Sequence, residues 1–381
     1  MSQVSALEFC KTLFTNTSFS SAWVEETQVM AVITKVEERF NEDLETLNRD
    51  AAFILNTSQT VASHTSKTIG VFRDWTVGAM CPSLPALCQF AIDAFDIKSQ
   101  TLINTLYVAG ILGEIDHNLS YHSNMHFRKV VFQCMRMIAV YNDIYQGTSR
   151  AFSERQIALL LATACIHDFG HDGKGNTLKG VYIPHRLEEA AYELVAPVFK
   201  AAGFDDEDDL NLMHSMLICT DVTPFNDPGN AVNQAKAAYR KHFLSDSRSM
   251  HQKLNLDEEL KILEECPAAA AMALMLHEAD IATSAGLHYD MTKYETGLLR
   301  IEIADGVALP QHILDFLKDI CNRQMLSEVG QQLFAANMAR IYALAEDDVK
   351  KGNKPFPEIA RSDFILGIHS QDYAGGSKTI N

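Results

Sequence analysis

The densest chemistry in the chain is Ile166-His167-Asp168-Phe169-Gly170-His171-Asp172-Gly173, where two histidines and two aspartates fall within six positions. A lone core histidine is usually satisfied by a backbone carbonyl, but four such side chains are costly to bury without partners. Adjacent His167 and Asp168 offer one neutral imidazole nitrogen and one carboxylate, a donor mix that suits zinc, iron or manganese better than calcium. A metal site is the chemistry to expect here.

Further constellations could complete it. Tyr121-His122-Ser123-Asn124-Met125-His126 carries two histidines four residues apart, which on a helix share one face. One can bind a metal while the other meets the substrate. His277-Glu278-Ala279-Asp280 closes a nearly unbroken apolar run, and Asp280 is the expected fourth ligand. His277, on the same side of that helix, reads equally as support for the ligands and as a plain core histidine. Glu188, beside Leu187, stands apart from the solvated Glu189 and Glu193. Asp221 either caps a helix end or accepts a hydrogen bond from a ligand histidine.

Helices must deliver these groups. Residues 157–166 read as a buried helix that stops where the glycines begin, and 130–145 as a long helix with both histidines in its first turns. The interval from His126 to His167 allows one helix out and one back, an antiparallel pair within a bundle. Helical patterns follow over 186–199, 210–220, 256–265, 267–276, 311–320 and 326–345. The acidic run Asp205–Asp209 suits a helix start, and it lacks the spacing and glycine of a calcium loop.

Before this region, Val29, Ile33, Val36, Phe40, Leu44 and Leu47 mark an amphipathic helix. Residues 57–68, rich in Ser and Thr, read as a loop, with helices following from near Leu87 and over 97–115. These N-terminal helices are expected to complete the core or to form a homodimer surface. The stretch 226–255, with Lys236, Arg240, Lys241, Arg248 and Lys253, is expected to be an exposed insertion. The fold class is therefore all-α, with an N-terminal helical region over 1–115, a catalytic domain over 116–349 and an irregular tail over 350–381.

Composition narrows the partners. A chain of 381 residues with 47% apolar and 21% charged residues belongs with ordinary globular proteins. Its net charge of -17 and its lack of a long basic run argue against a nucleic-acid polymer or an anionic membrane as partner. The eight cysteines form no C-x-x-C pair and sit mostly in apolar surroundings, which points to reduced thiols and a cytoplasmic location. No signal peptide or run of about eighteen apolar residues is evident.

In order and interval, Tyr121-His122-x-Asn124-x-His126, His167-Asp168-x-x-His171-x-Gly173-x-x-Asn176, Thr220-Asp221 and His277-x-Ala279-Asp280-Ile281 resemble the catalytic domain of class I cyclic nucleotide phosphodiesterases, within the HD phosphohydrolase superfamily. The resemblance covers roughly Tyr121 to Ile281 and implies a multi-helix HD-type bundle. It implies that His126, His167, Asp168 and Asp280 hold a first divalent ion, usually zinc, and that Asp168 bridges to a second, usually magnesium or manganese. It implies that His122 is the general acid, that Glu188 is the glutamate orienting it, and that His171, Asn176 and Asp221 support the ligands from behind. The implied activity is hydrolysis of a cyclic nucleotide 3',5'-phosphodiester by metal-bound hydroxide, with a small nucleotide as substrate.

The chain departs from that pattern in two places. After His126 the family continues Ala-x-Asp-Val, whereas this chain continues Phe127-Arg128-Lys129-Val130, placing two cations where phosphate could be met differently. The family's purine-clamping glutamine motif is also missing, and Gln324, Gln331 and Gln332 stand near its distance. The substrate-binding residues therefore stay open. The alternatives are a phosphohydrolase or phosphodiesterase acting on another nucleotide or a nucleotide-modified protein, and a non-catalytic helical module that keeps a metal.

Overall fold

Helical periodicity becomes fifteen α-helices in the computed structural model, which describes residues 3–19, 22–78, 81–224, 227–244, 253–303 and 306–356. The N-terminal five are α1 (Gln3–Asn16), α2 (Glu26–Asp50), α3 (Val61–Val77), α4 (Leu84–Ala94) and α5 (Gln100–Gly113). Next come α6 (Asn124–Ile144) and α7 (Glu154–Ile166), then a hairpin of β1 (Thr177–Leu178) and β2 (Val181–Tyr182). The chain continues through α8 (Arg186–Ala201), α9 (Glu207–Ile218), α10 (Ala231–Tyr239), α11 (Lys261–Glu265), α12 (Pro267–Ala285), α13 (Tyr289–Glu302), α14 (Pro310–Asp315) and α15 (Glu328–Lys350). The two-residue antiparallel hairpin is the sole sheet among the described residues, so the architecture is all-α.

The centre is made by α6, α7 and α12, which pack on one another. Helix α7 starts at a capping box, with Ser153 and Gln156 satisfying each other's backbone, and every residue from Ile157 to Ile166 is buried. A helix apolar on all sides can only be interior. Helix α12 opens on Pro267 at its first turn, and its alanines let neighbouring helices come close. It runs to Ala285, beyond the 276 that the apolar run suggested, because Ile281, Ala282 and Ala285 keep it wrapped until Gly286. Asp280 therefore sits inside a helix rather than at its end.

The N-terminal helices share this core. The α2 stripe Val29, Ile33, Val36, Phe40, Leu44 and Leu47 is buried, each such side chain stabilising by about 1.5–3 kcal/mol when fully removed from water. One apolar cluster runs without a break from Ala6 to Ala345.

Three local readings are corrected. Residues 61–68 are the first turns of α3: the Thr60 side chain caps Ser63 N, and the Thr68 hydroxyl bonds the His64 carbonyl inside the helix. Within 226–255, α10 is not an exposed insertion, since Ala231, Val232, Ala235, Ala238 and Tyr239 are buried and Lys236 with them. Arg248, with the rest of 245–252, lies outside the described residues. Helix α6 begins at Asn124, after the cap residue Ser123, so His122 precedes the helix and the two histidines do not share a helical face. Of the tail, Phe356 is held by its N–H to the Ala308 carbonyl, and 357–381 lie outside the described residues. No helix among the described residues is long and apolar enough to cross a membrane.

Candidate metal centre

The three central helices aim their polar groups at one point. His126 is the third residue of α6, His167 is the C-cap of α7 with Asp168 next to it, and Asp280 comes from α12. His126 Nε2 and His167 Nε2 stand 3.2 Å apart. Asp168 Oδ2 is 3.4 Å from the first and 3.1 Å from the second, and Asp280 Oδ1 is 2.9 and 3.7 Å from them. Donors at 2.0–2.2 Å from a tetrahedral zinc would stand about 3.3–3.6 Å from one another, so these spacings match a cradle of ligands.

Two observations test that fit. His167 Nδ1 donates to the Ala164 carbonyl at 2.9 Å, which leaves Nε2, the nitrogen facing the cluster, with its lone pair. Asp168 Oδ2 is buried and has no hydrogen-bond partner, an orphan that a cation at this point would satisfy. The residues fit a divalent ion. Burial favours neutral rings at His126 and His167, but the carboxylates of Asp168 and Asp280 outweigh it and push both rings toward imidazolium. Burial likewise opposes ionisation of Asp280, and the hydrogen bonds from His126 and His167 win, holding it well below the carboxylate range. An arriving cation must displace those protons, so metal uptake is coupled to proton release.

Beside the cluster stands His122, gripped by Glu302 at the end of α13. Its Nδ1 lies 2.5 Å from Glu302 Oε1, while Tyr121 N and His122 N donate to Oε2 at 2.7 and 3.0 Å. Burial would raise the Glu302 carboxyl, but these hydrogen bonds hold it below its ordinary value, so it is ionised and His122 donates through Nδ1. His171 stacks on His122 with ring centroids 3.9 Å apart, and its Nδ1 accepts from Gly173 N. Burial, with His122 next, lowers His171 to about 4, which keeps it neutral.

Glu188 was expected to orient His122, and it does not. Its carboxylate instead accepts from Asn176 Nδ2 at 2.8 Å, while Asn176 Oδ1 takes the Leu187 N–H. Burial and then Asp221 push Glu188 up to about 8. Asp221 does accept from a histidine, but that residue is His185 (3.0 Å), which is not among the four ligands; Tyr182 and Thr223 also donate to it. Burial opposes its ionisation, yet the His185 and Thr223 hydrogen bonds bring it to about 2. Neither ring nitrogen of buried His277 has a hydrogen-bond partner, so it holds none of the four ligand side chains in place. The two cations after His126 are also taken up by carboxylates: Arg128 Nη2 donates to both oxygens of Glu114, and Lys129 is buried against Glu295 at 2.6 Å.

Of the other supporting residues, His117 and Trp23 carried no sequence signal. The loop after α7 needs left-handed backbone at Gly170 (φ 82°) and Gly173 (φ 75°), which glycine adopts freely. Gly170 N donates to His117 Nε2 at 3.4 Å, His117 Nδ1 bonds the Ile115 carbonyl, and Trp23 from the N-terminal region stacks on the His117 ring. An N-terminal residue thus buttresses the metal loop from behind.

The cluster opens into a cavity of about 300 Å³ whose walls include His122, His171, Glu188 and Glu302. Tyr121, Leu299, Ile303, Phe316 and Ile320 also line a neighbouring lobe of about 340 Å³. Gln324, Gln331 and Gln332 are all exposed and line neither.

No protein-family model matches the chain, and no curated protein sequence matches it. Among solved structures, the phosphodiesterase domain of the RhoPDE fusion protein from the choanoflagellate Salpingoeca rosetta is similar at a TM-score of 0.48 and 15% identity, over 77% of this chain and 93% of that one. LmjPDEB1, solved in complex with IBMX, is similar at a TM-score of 0.43 and 14% identity, over 70% of this chain and 86% of that one. Likenesses of this size leave function to the site's own residues.

Proposed function

We propose that this chain is a metal-dependent phosphohydrolase whose substrate is a cyclic nucleotide 3',5'-phosphodiester. The observation that supports the reading is one cavity lined by Asp168 and Asp280, whose carboxylates meet the His126 and His167 rings, and by His122, a histidine clamped by an ionised carboxylate. A cation cradle alone would serve a structural ion, but a separate proton carrier beside it serves a reaction.

In this reading His126, His167, Asp168 and Asp280 would hold a first ion, zinc, and Asp168 would also serve a second, magnesium or manganese. Bound there, the pair would neutralise phosphodiester oxygens and lower the pKa of water. His122 carries the proton for the departing ribose oxygen: the ionised Glu302 fixes its Nδ1–H, which leaves Nε2 as the nitrogen that gives the proton. His171, neutral and stacked on His122, keeps that ring from turning. Glu188, held by Asn176, adds a carboxyl to the cavity lining. The apolar waist of Leu299, Ile303, Phe316 and Ile320 between the lobes offers a flat ring a slot next to the metals.

Purified protein stripped of metal, then reloaded with zinc plus magnesium or manganese, is tested on cyclic AMP, cyclic GMP, cyclic dinucleotides and a nitrophenyl phosphodiester. Turnover of a cyclic mononucleotide supports the proposal. Turnover of only the artificial diester keeps the hydrolase and removes the substrate, and no turnover of any phosphoester leaves a metal-holding helical module.

A further inference from the structure

Arg136 lies in the middle of α6, only 1% exposed, and among the described residues no carboxylate pairs with it. Its Nη1 donates to Gln133 Oε1 at 2.6 Å, but Nε and Nη2 have no partner. One turn away the Gln133 amide nitrogen, on a wholly buried side chain, is orphaned too. Three N–H-bearing nitrogens with nothing to donate to therefore gather around one buried positive charge.

A guanidinium does not shed its proton in a protein, so this charge cannot be removed by titration. The Phe334 ring, 5.6 Å from Arg136 Cζ, attracts the cation through its face. It supplies neither a negative charge nor an acceptor in the guanidinium plane. Buried His64 also adds no negative charge: its Nε2 donates to the Asn56 carbonyl at 2.8 Å, and its Nδ1 is a neutral, unpartnered acceptor. A buried water could take some of these hydrogen bonds, but it would leave the charge uncompensated in a low-dielectric core. The core thus asks for an acceptor that also carries one negative charge, and the full burial of Arg136 beside the Phe334 ring favours a small one.

We propose that Arg136, with the Gln133 amide, binds a small monovalent anion of the halide class inside the helical core. The site is separate from the metal centre, and it would pin the middle of α6, whose start carries His126, to α15 across the core. This inference does not depend on the proposed phosphohydrolase activity.

The test uses the full-length protein. Thermal unfolding is followed in chloride, bromide and gluconate at equal ionic strength, beside crystals grown in bromide and measured at its absorption edge. The expected result is a saturable rise in Tm with either halide over gluconate, on the order of 2–4 °C, and an anomalous bromide peak within hydrogen-bonding distance of Arg136 Nη2. Arg136→Met should abolish the halide dependence, and Gln133→Leu should weaken it. A halide entering the metal cradle instead would leave the dependence intact in Arg136→Met and would overturn the proposal. So would equal Tm values in all three salts, or density at Arg136 with no bromide signal. If Arg136→Met fails to fold, the bromide peak in the unaltered protein decides alone.

Discussion

Glu302 Oε1 lies 2.5 Å from Nδ1 of His122, a residue 180 positions earlier in the chain. The same carboxylate takes the two backbone N–H groups that lead into α6, so one residue sets both the ring and the loop that carries it. His122→Ala should lower turnover by about 10²–10⁴-fold with metal content kept. Glu302→Gln should lower it on the order of 10–100-fold by loosening the ring. Turnover and metal content, the latter by elemental analysis, are measured side by side; loss of metal in either variant would show that the residue belongs to the cradle instead.

The four cradle donors come from three buried helices, so a bound ion should tie those helices together. Chelation is expected to lower Tm and reloading to restore it, by the equivalent of about 2.7 kcal/mol when free metal is a hundredfold above Kd. Asp280→Ala should bind less than one equivalent of zinc and lose this response. A chelator-insensitive Tm in the unaltered protein would mean that the four side chains only satisfy one another.

Burial, then Asp221, raises Glu188 from an ordinary 4.5 to about 8. Its contribution to stability is therefore complete below pH 4.5 and is lost as pH climbs through 8, because the unfolded chain gives up this proton first. In metal-free protein the slope from this one group approaches about 1.4 kcal/mol per pH unit at most. Urea midpoints at pH 5 and pH 8.5 should converge in Glu188→Gln relative to the unaltered protein. Identical pH slopes in the two proteins would place the Glu188 proton elsewhere.

Lys129 and Glu295 form a fully buried ion pair. Removing one partner strands the other, so Glu295→Ala should destabilise by about 3–5 kcal/mol. The double variant Lys129→Met, Glu295→Leu should recover most of that loss. A double-mutant cycle by chemical denaturation reads the coupling, and a cost under about 1 kcal/mol for Glu295→Ala would show that the lysine finds water.

Much of the candidate site could be read from residue order. His167, Asp168 and Asp280 follow or lie within runs so apolar that only a buried helix could hold them, and ionisable groups in such places need a common partner. The helix ends were less legible. The serines and threonines of 57–68 look like a loop, yet Thr60 caps α3 and Thr68 bonds back within it, because the same hydroxyls that favour turns also satisfy helical backbone. The 226–255 stretch looked solvated by its lysines, yet α10 buries its alanine and tyrosine face and the Lys236 stem with it.

What the sequence determined by itself was the fold class and the buried runs that carry His167, Asp168 and Asp280, since helical period and the cost of burying charge act along a single segment. Which carboxylate meets which cation was decided by the tertiary structure alone. Glu302 rather than Glu188 reaches His122, Glu114 and Glu295 take the two cations after His126, and Trp23 arrives behind the metal loop. These pairings depend on how helices far apart in sequence cross, and no local pattern records where two crossing helices will bring their side chains together.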